Sequence, residues 1–209
     1  NITADWDQVE DKYYWIKHGI KFLRRGTAVN DDSPELRWDV GWTYFHKIGK
    51  ADEAVLLRKI FQQDDKPEID AQGRAQPAFN QNNLDNYIAS LEWFQKAVAK
   101  CDEPPIKKPK RMGEVAFRSY PAHAQTNSVQ AEEEEGLFSE GSEGIAARWL
   151  IALQLWRDFA DFEYTYAEPQ RKVKLDYTPD IFGDLYRSVT LMTRIRSLDF
   201  ALPKDWNQT

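Results

Sequence analysis

The doubled apolar stripe of residues 7 to 29 constrains the fold more than any other feature of this chain. Val9, Tyr13, Ile16, Ile20, Leu23 and Thr27 recur at spacings of three and four, which lays them along one face of an α-helix. Trp15, Gly19, Phe22 and Gly26 form a second stripe beside the first, so the helix is expected to contact neighbours on two sides, as a helix inside a stack does. The segment NDDSPE ends this helix and starts another, with Ser33 as N-cap, Pro34 at the first helical position and Glu35 in the first turn. A turn this short predicts antiparallel neighbours. The second helix is expected over about 34 to 48, with Gly49 as its C-terminal stop. A third begins at Asp52 and Glu53 and carries Ala54, Leu57, Ile60 and Phe61.

From 62 to 83 the periodicity is lost among polar residues, Pro67, Gly73 and Pro77, which predicts a long surface connection. A helix returns over 84 to 101 with Tyr87, Leu91, Phe94 and Val98. The segment EPPIKKPKRMG (103 to 113) then breaks it with three prolines around Lys107, Lys108, Lys110 and Arg111. It reads as a solvated linker or as a recognition segment for an acidic partner. Two further helices are expected over 121 to 135 and 144 to 162, the latter strongly apolar through Ile145, Trp149, Leu153, Trp156 and Phe159. A stretch over about 179 to 200 should dock as a C-terminal capping helix. No convincing strand pair is expected, although 171 to 177 alternates and suits a short extended piece. The fold class is therefore all-α, in one domain spanning 1–209. Its first half is 1–64, its loop 65–83 and its second half 84–209.

Eight Trp, nine Tyr and eleven Phe supply large apolar anchors for a core. The net charge of −6 argues against general attraction to nucleic acid or anionic lipid and favours a basic partner. Cys101, the single cysteine, excludes an internal disulfide and any multi-cysteine metal site. No run of 18 apolar residues occurs, so no membrane span is expected. An opening at Asn1 without Met and without a signal peptide suggests a fragment or processed form of something longer.

Helix pairs with short turns prompt a search for repeats. Residues 20 to 28 (IKFLRRGTA) laid over 91 to 99 (LEWFQKAVA) match in helical phase, Ile20 on Leu91, Phe22 on Trp93, Leu23 on Phe94 and Gly26 on Ala97. Gly41, Tyr44, Gly49 and Ala54 follow the spaced small and aromatic positions of a tetratricopeptide helix-turn-helix, with Glu132, Gly136, Phe138 and Ala147 as a looser second instance. The spacings depart from the regular form, so the expected architecture is a degenerate tetratricopeptide-like solenoid of antiparallel helix pairs with long loops. The succession WIKHGIKFLRRG, SPELRWDVGWTYFHKIGKADEAVLLRKIF, DNYIASLEWFQKAV, AEEEEGLFSE and ALQLWRDF resembles the planctomycete proteins labelled "IRE (iron responsive element)", which are tetratricopeptide-like and of unestablished function. The resemblance implies helical repeats with membrane-spanning segments ahead of them, and it brings no catalytic residues. An iron site needs clustered ligands, whereas His18, His46 and His123 stand far apart.

In such a repeat Val40, Gly41, Tyr44 and Ile48 would face the partner helix, leaving Trp38, Trp42, Phe45 and His46 nearer a groove able to clamp a peptide or helix. Thr126, Gln130, Glu133 and Glu134 are the matching candidates on the helix over 121 to 135. The run Glu132 to Glu135 ends that helix with four acids, against the helix dipole, so a basic segment, a cation or the chain's own KKPKR should offset it. No catalytic residues, metal ligands or cofactor are expected. No Ser or Cys stands where His46 would serve it as base, and Asp64, Asp65, Glu68 and Asp70 lack the glycine and terminal Glu of an EF-hand. The expected function is a protein–protein interaction module. The alternative is a structural unit that self-assembles by stacking its apolar ends, and an enzyme of unknown type comes third.

Overall fold

The computed structural model describes residues 8–70, 72–135, 141–166 and 171–173. Within them the chain is all-α apart from two short antiparallel strand pairs. It divides after Gly113 into two compact units, a boundary that falls beyond the 65–83 loop because the helix following that loop packs on the second helix.

In the first unit, α1 (Val9–Val29) turns the first stripe inward. Tyr13, Ile20 and Thr27 are buried, and Val9, Ile16 and Leu23 pack against the same core. Ser33 caps α2 (Pro34–Trp42) as expected, its Oγ accepting from the Leu36 amide at 3.2 Å, with Pro34 opening the helix. The helix then loosens into a π-helical turn, Thr43–Ile48, that the sequence does not announce. Adjacent side chains on an α-helix point about 100° apart; the wider i→i+5 turn brings the neighbours Tyr44 and Phe45 both into the interior.

Helix α3 (Ala54–Gln62) packs on α1 and the π turn through Leu57 and Phe61, whereas α4 (Asn86–Asp102), capped by Asp85, lies along α2. Gly41 permits that approach: a Cβ there would stand 2.8 Å from the Phe94 ring and 3.1 Å from the Ser90 carbonyl. Gly49 has an ordinary φ of −92°, so it is required for space rather than for a left-handed turn. A Cβ on it would meet Asn86 Nδ2 at 2.5 Å and the Tyr87 ring at 2.6 Å. Helix α2 is thus flanked by α1 and α4, while α3 returns to α1.

The 62–83 connection is more than a surface loop. Glu68–Ile69 (β1) and Ala75–Gln76 (β2) pair in a small hairpin, and Gly73 takes the left-handed φ of +76° that its turn requires. Phe79 is buried with its ring 6.0 Å from Tyr44 and 5.9 Å from Phe61. Asn80 donates to the Phe61 and Leu84 carbonyls at 2.9 Å each.

In the second unit, α5 (Glu114–Glu135) begins at Glu114 rather than at Pro121, which sits inside the helix. The proline costs a helical hydrogen bond. Full burial of Phe117, with Val115 packed on the core, holds the extra turns in place. Helix α6 (Gly141–Asp161) buries Ile145, Trp149, Leu153, Trp156 and Phe159 in a cluster with Ala122 and Val129 of α5. Tyr164–Tyr166 (β3) then pairs antiparallel with Arg171–Val173 (β4), so the expected extended piece has a partner strand. The expected helix over 179 to 200 lies outside the described residues.

Candidate interaction surface

Two residues on along a helix is a rotation of about 200°. The inner seam of α1 at positions 9, 13, 16, 20, 23 and 27 therefore implies an outer seam at Asp11, Trp15, His18, Phe22, Arg25 and Val29, and all six are exposed. Phe22 is 69% accessible, Val29 84% and Trp15 45%, and Tyr14 beside them is 52% accessible. The Tyr14 ring lies 4.2 Å from His18 and 5.4 Å from Trp15, which makes an aromatic cluster on the surface. A Cβ built on Gly19 meets nothing within 4 Å, whereas Gly26 turns toward Leu36 at 3.3 Å. The second stripe, expected to face a neighbouring helix of the stack, thus keeps Trp15, Gly19 and Phe22 outward. Large apolar groups aligned in this way on a solvent-exposed face make it the candidate interaction surface.

The aromatic candidates on α2 and the π turn divide differently from expectation. Trp38 and Phe45 are core residues, because α4 covers their side of the helix. The Trp38 ring lies 5.7 Å from Phe94, and Phe45 lies 5.2 Å from Tyr87 and 6.3 Å from Phe94. Trp42 and His46 remain half-buried at the surface with rings 4.7 Å apart, and Lys47 stands 5.9 Å from the Trp42 ring. Burial pushes the His46 pKa below its ordinary value, and Lys50 and Lys47 push it the same way. Val40, Gly41, Tyr44 and Ile48 are buried, on the inward side where helical phase puts them.

On α5 the candidates belong to the other compact unit. Thr126 accepts from the Trp156 indole at 3.1 Å and Glu133 from the Trp149 indole at 3.0 Å, so both are engaged within the α5–α6 pair. Gln130 and Glu134 are exposed. The acidic run finds its offset in α6, where Arg148 pairs with Glu132. The basic segment is engaged elsewhere, on the turn between α1 and α2 and on α2 itself. Lys107 pairs with Asp32 at 2.9 Å, the Lys110 amide donates to Glu35 at 2.8 Å, and Arg111 pairs with Asp39 at 2.6 Å. The Lys107 hydrogen bond and charge, with Lys100 nearby, hold the Asp32 carboxyl below the usual range. A cleft of about 770 Å³ opens between that turn and the basic segment. Acids and bases face each other across it, so it offers no single sign of charge to a ligand.

Among the described residues no group of three or more His, Cys, Asp or Glu is placed to hold a metal ion, and Asp64 and Glu68 both pair with Lys17. No helix among them is long and apolar enough to cross a membrane. The chain matches no family model, no curated protein and no solved structure. The outer seam of α1 is thus the candidate surface, and two of its residues, Trp15 and Phe22, belong to the stripe that the sequence led one to expect against a neighbouring helix.

Proposed function

We propose that the chain is a protein–protein interaction module, built from degenerate tetratricopeptide-like helix pairs, that docks a helix of another chain along the outer face of α1. The observation that carries this reading is the exposed row of Trp15, Phe22 and Val29, with Tyr14 alongside, on a helix whose opposite side packs into a core. Trp15, Phe22 and Val29 recur every seven positions, which puts them on one side of the helix, where they can interleave with side chains of a facing helix. Rigid aromatic anchors bury much area for little lost side-chain entropy, which is why they dominate such contacts. Gly41 and Gly49 support the repeat reading in part, since each stands where helices approach too closely for a side chain. The module acts by binding rather than by catalysis.

The experiment is affinity capture from a lysate of the source cells with the wild-type chain, a Phe22→Glu variant and a Trp42→Ala variant, each verified as folded by circular dichroism. Both positions reach the surface, so both variants should fold. A protein retained by wild type and by Trp42→Ala but lost by Phe22→Glu places the contact on α1. Loss with Trp42→Ala and retention with Phe22→Glu would move the site to the Trp42–His46 patch and overturn the α1 reading.

A further inference from the structure

Resting on the reading of α1 as a docking face, we infer that the helix it takes is α1 of a second copy of this chain, lying antiparallel across a two-fold axis near His18. The outer seam is self-complementary about that residue. Asp11 lies seven positions before His18 and Arg25 seven after, about 10 Å to either side at the helical rise. In an antiparallel pair related by a two-fold axis each contact occurs twice. Asp11 then meets Arg25 of the second copy, and Tyr14 and Trp15 meet its Phe22. Gly19, with open space where a Cβ would be, lets the two backbones approach beside the axis.

The charges decide the direction. A parallel pair would set Asp11 against Asp11 and Arg25 against Arg25, both repulsive. Nor does Arg25 serve its own helix, because the dipole effect is confined to the last turn, which in α1 holds no basic residue. One helix face of about 30 Å by 10 Å offers roughly 300 Å² per chain, well under the roughly 800 Å² per partner of a standard stable interface. The dimer is therefore weak and reversible, and it forms at high local concentration.

Sedimentation of the wild-type chain from micromolar to near-millimolar concentration tests this directly. The expected result is a reversible monomer–dimer equilibrium that Phe22→Glu abolishes. Asp11→Arg alone, and Arg25→Asp alone, each turn two attractive contacts repulsive and should weaken dimerisation about tenfold. The double variant should return to within about threefold of wild type, and mixing the two single variants should give a heterodimer. Circular dichroism of these exposed-site variants separates lost pairing from lost folding. A wild-type chain that stays monomeric throughout, or a double variant no better than the singles, overturns the inference. If the monomeric chain nevertheless captures a protein in a Phe22-dependent manner, the docking reading stands with a different partner. If it captures none, both fall.

Discussion

At the scale of single residues the glycines show how little the type of a residue says about its work. Gly41 and Gly19 both lie in helices, yet a methyl group at Gly41 would enter the Phe94 ring while one at Gly19 would enter open space. Gly41→Ala should therefore lose about 1–3 kcal/mol to overpacking, and Gly19→Ala should gain about 0.5–1 kcal/mol from helix propensity. Urea unfolding at concentrations where the chain is monomeric checks both. His46 gives a second residue-scale prediction. Burial first, then Lys50 and Lys47, holds its folded pKa below its ordinary value near 6.5. The unfolded chain then binds the proton more readily. The stability His46 contributes is present in full above that value and is lost as the pH falls through the lower folded pKa. NMR titration should place the midpoint below 6.5, and His46→Gln should remove the corresponding part of the acid-side decline in stability.

At the scale of elements, Arg58 of α3 joins its helix to the start of α4. The guanidinium pairs with Asp85 at 2.8 Å, donates to Asn86 at 3.0 Å and lies 5.3 Å from the Tyr87 ring centre, all in the interior. Asp85 also caps α4 by accepting from the Tyr87 amide at 3.1 Å. Arg58→Ala would leave that carboxylate buried without its cation, and chemical denaturation should show a loss of about 3–5 kcal/mol. Arg58→Lys should recover only part of it, since one ammonium cannot reproduce the fork. The helices were legible because inner seams repeat every three and four residues, and Ser33 and Pro34 marked one start unambiguously. The start of α5 was not, because proline at a helix start and proline inside a helix look alike until the burial of Phe117 is known. The π turn likewise follows from α4 covering α2, which no local pattern encodes. The second stripe of α1, with Trp15 and Phe22 in it, was visible in the sequence. Whether it met protein or water depended on where the other helices went, which is a tertiary fact.

At the scale of the whole molecule, the first unit holds its own core and its own electrostatic closure. Ile20, Val40, Ile48, Leu57 and Phe61 belong to one cluster, and the basic segment after α4 folds back on the α1–α2 turn through Lys107 and on α2 through Lys110 and Arg111. A fragment of residues 1–113 should accordingly unfold in one cooperative transition. A fragment ending at Asp102 keeps the apolar core but lacks the returning segment, and at neutral pH it should melt lower. The difference should vanish in acid. Lys107 holds the folded pKa of Asp32 down. For Glu35, burial acts upward but is outweighed by the amide bond from Lys110 and the charge of Arg111, so its folded pKa is lowered as well. A depressed carboxyl stabilises the fold above its unfolded pKa, near 4, and ceases to do so as the pH falls through its lower folded value. Thermal melts of the two fragments at neutral pH and at about pH 2 therefore test whether these charges hold the segment in place. A gap that persists in acid would mean that apolar contacts of the segment, and not its lysines and arginine, close this end of the unit.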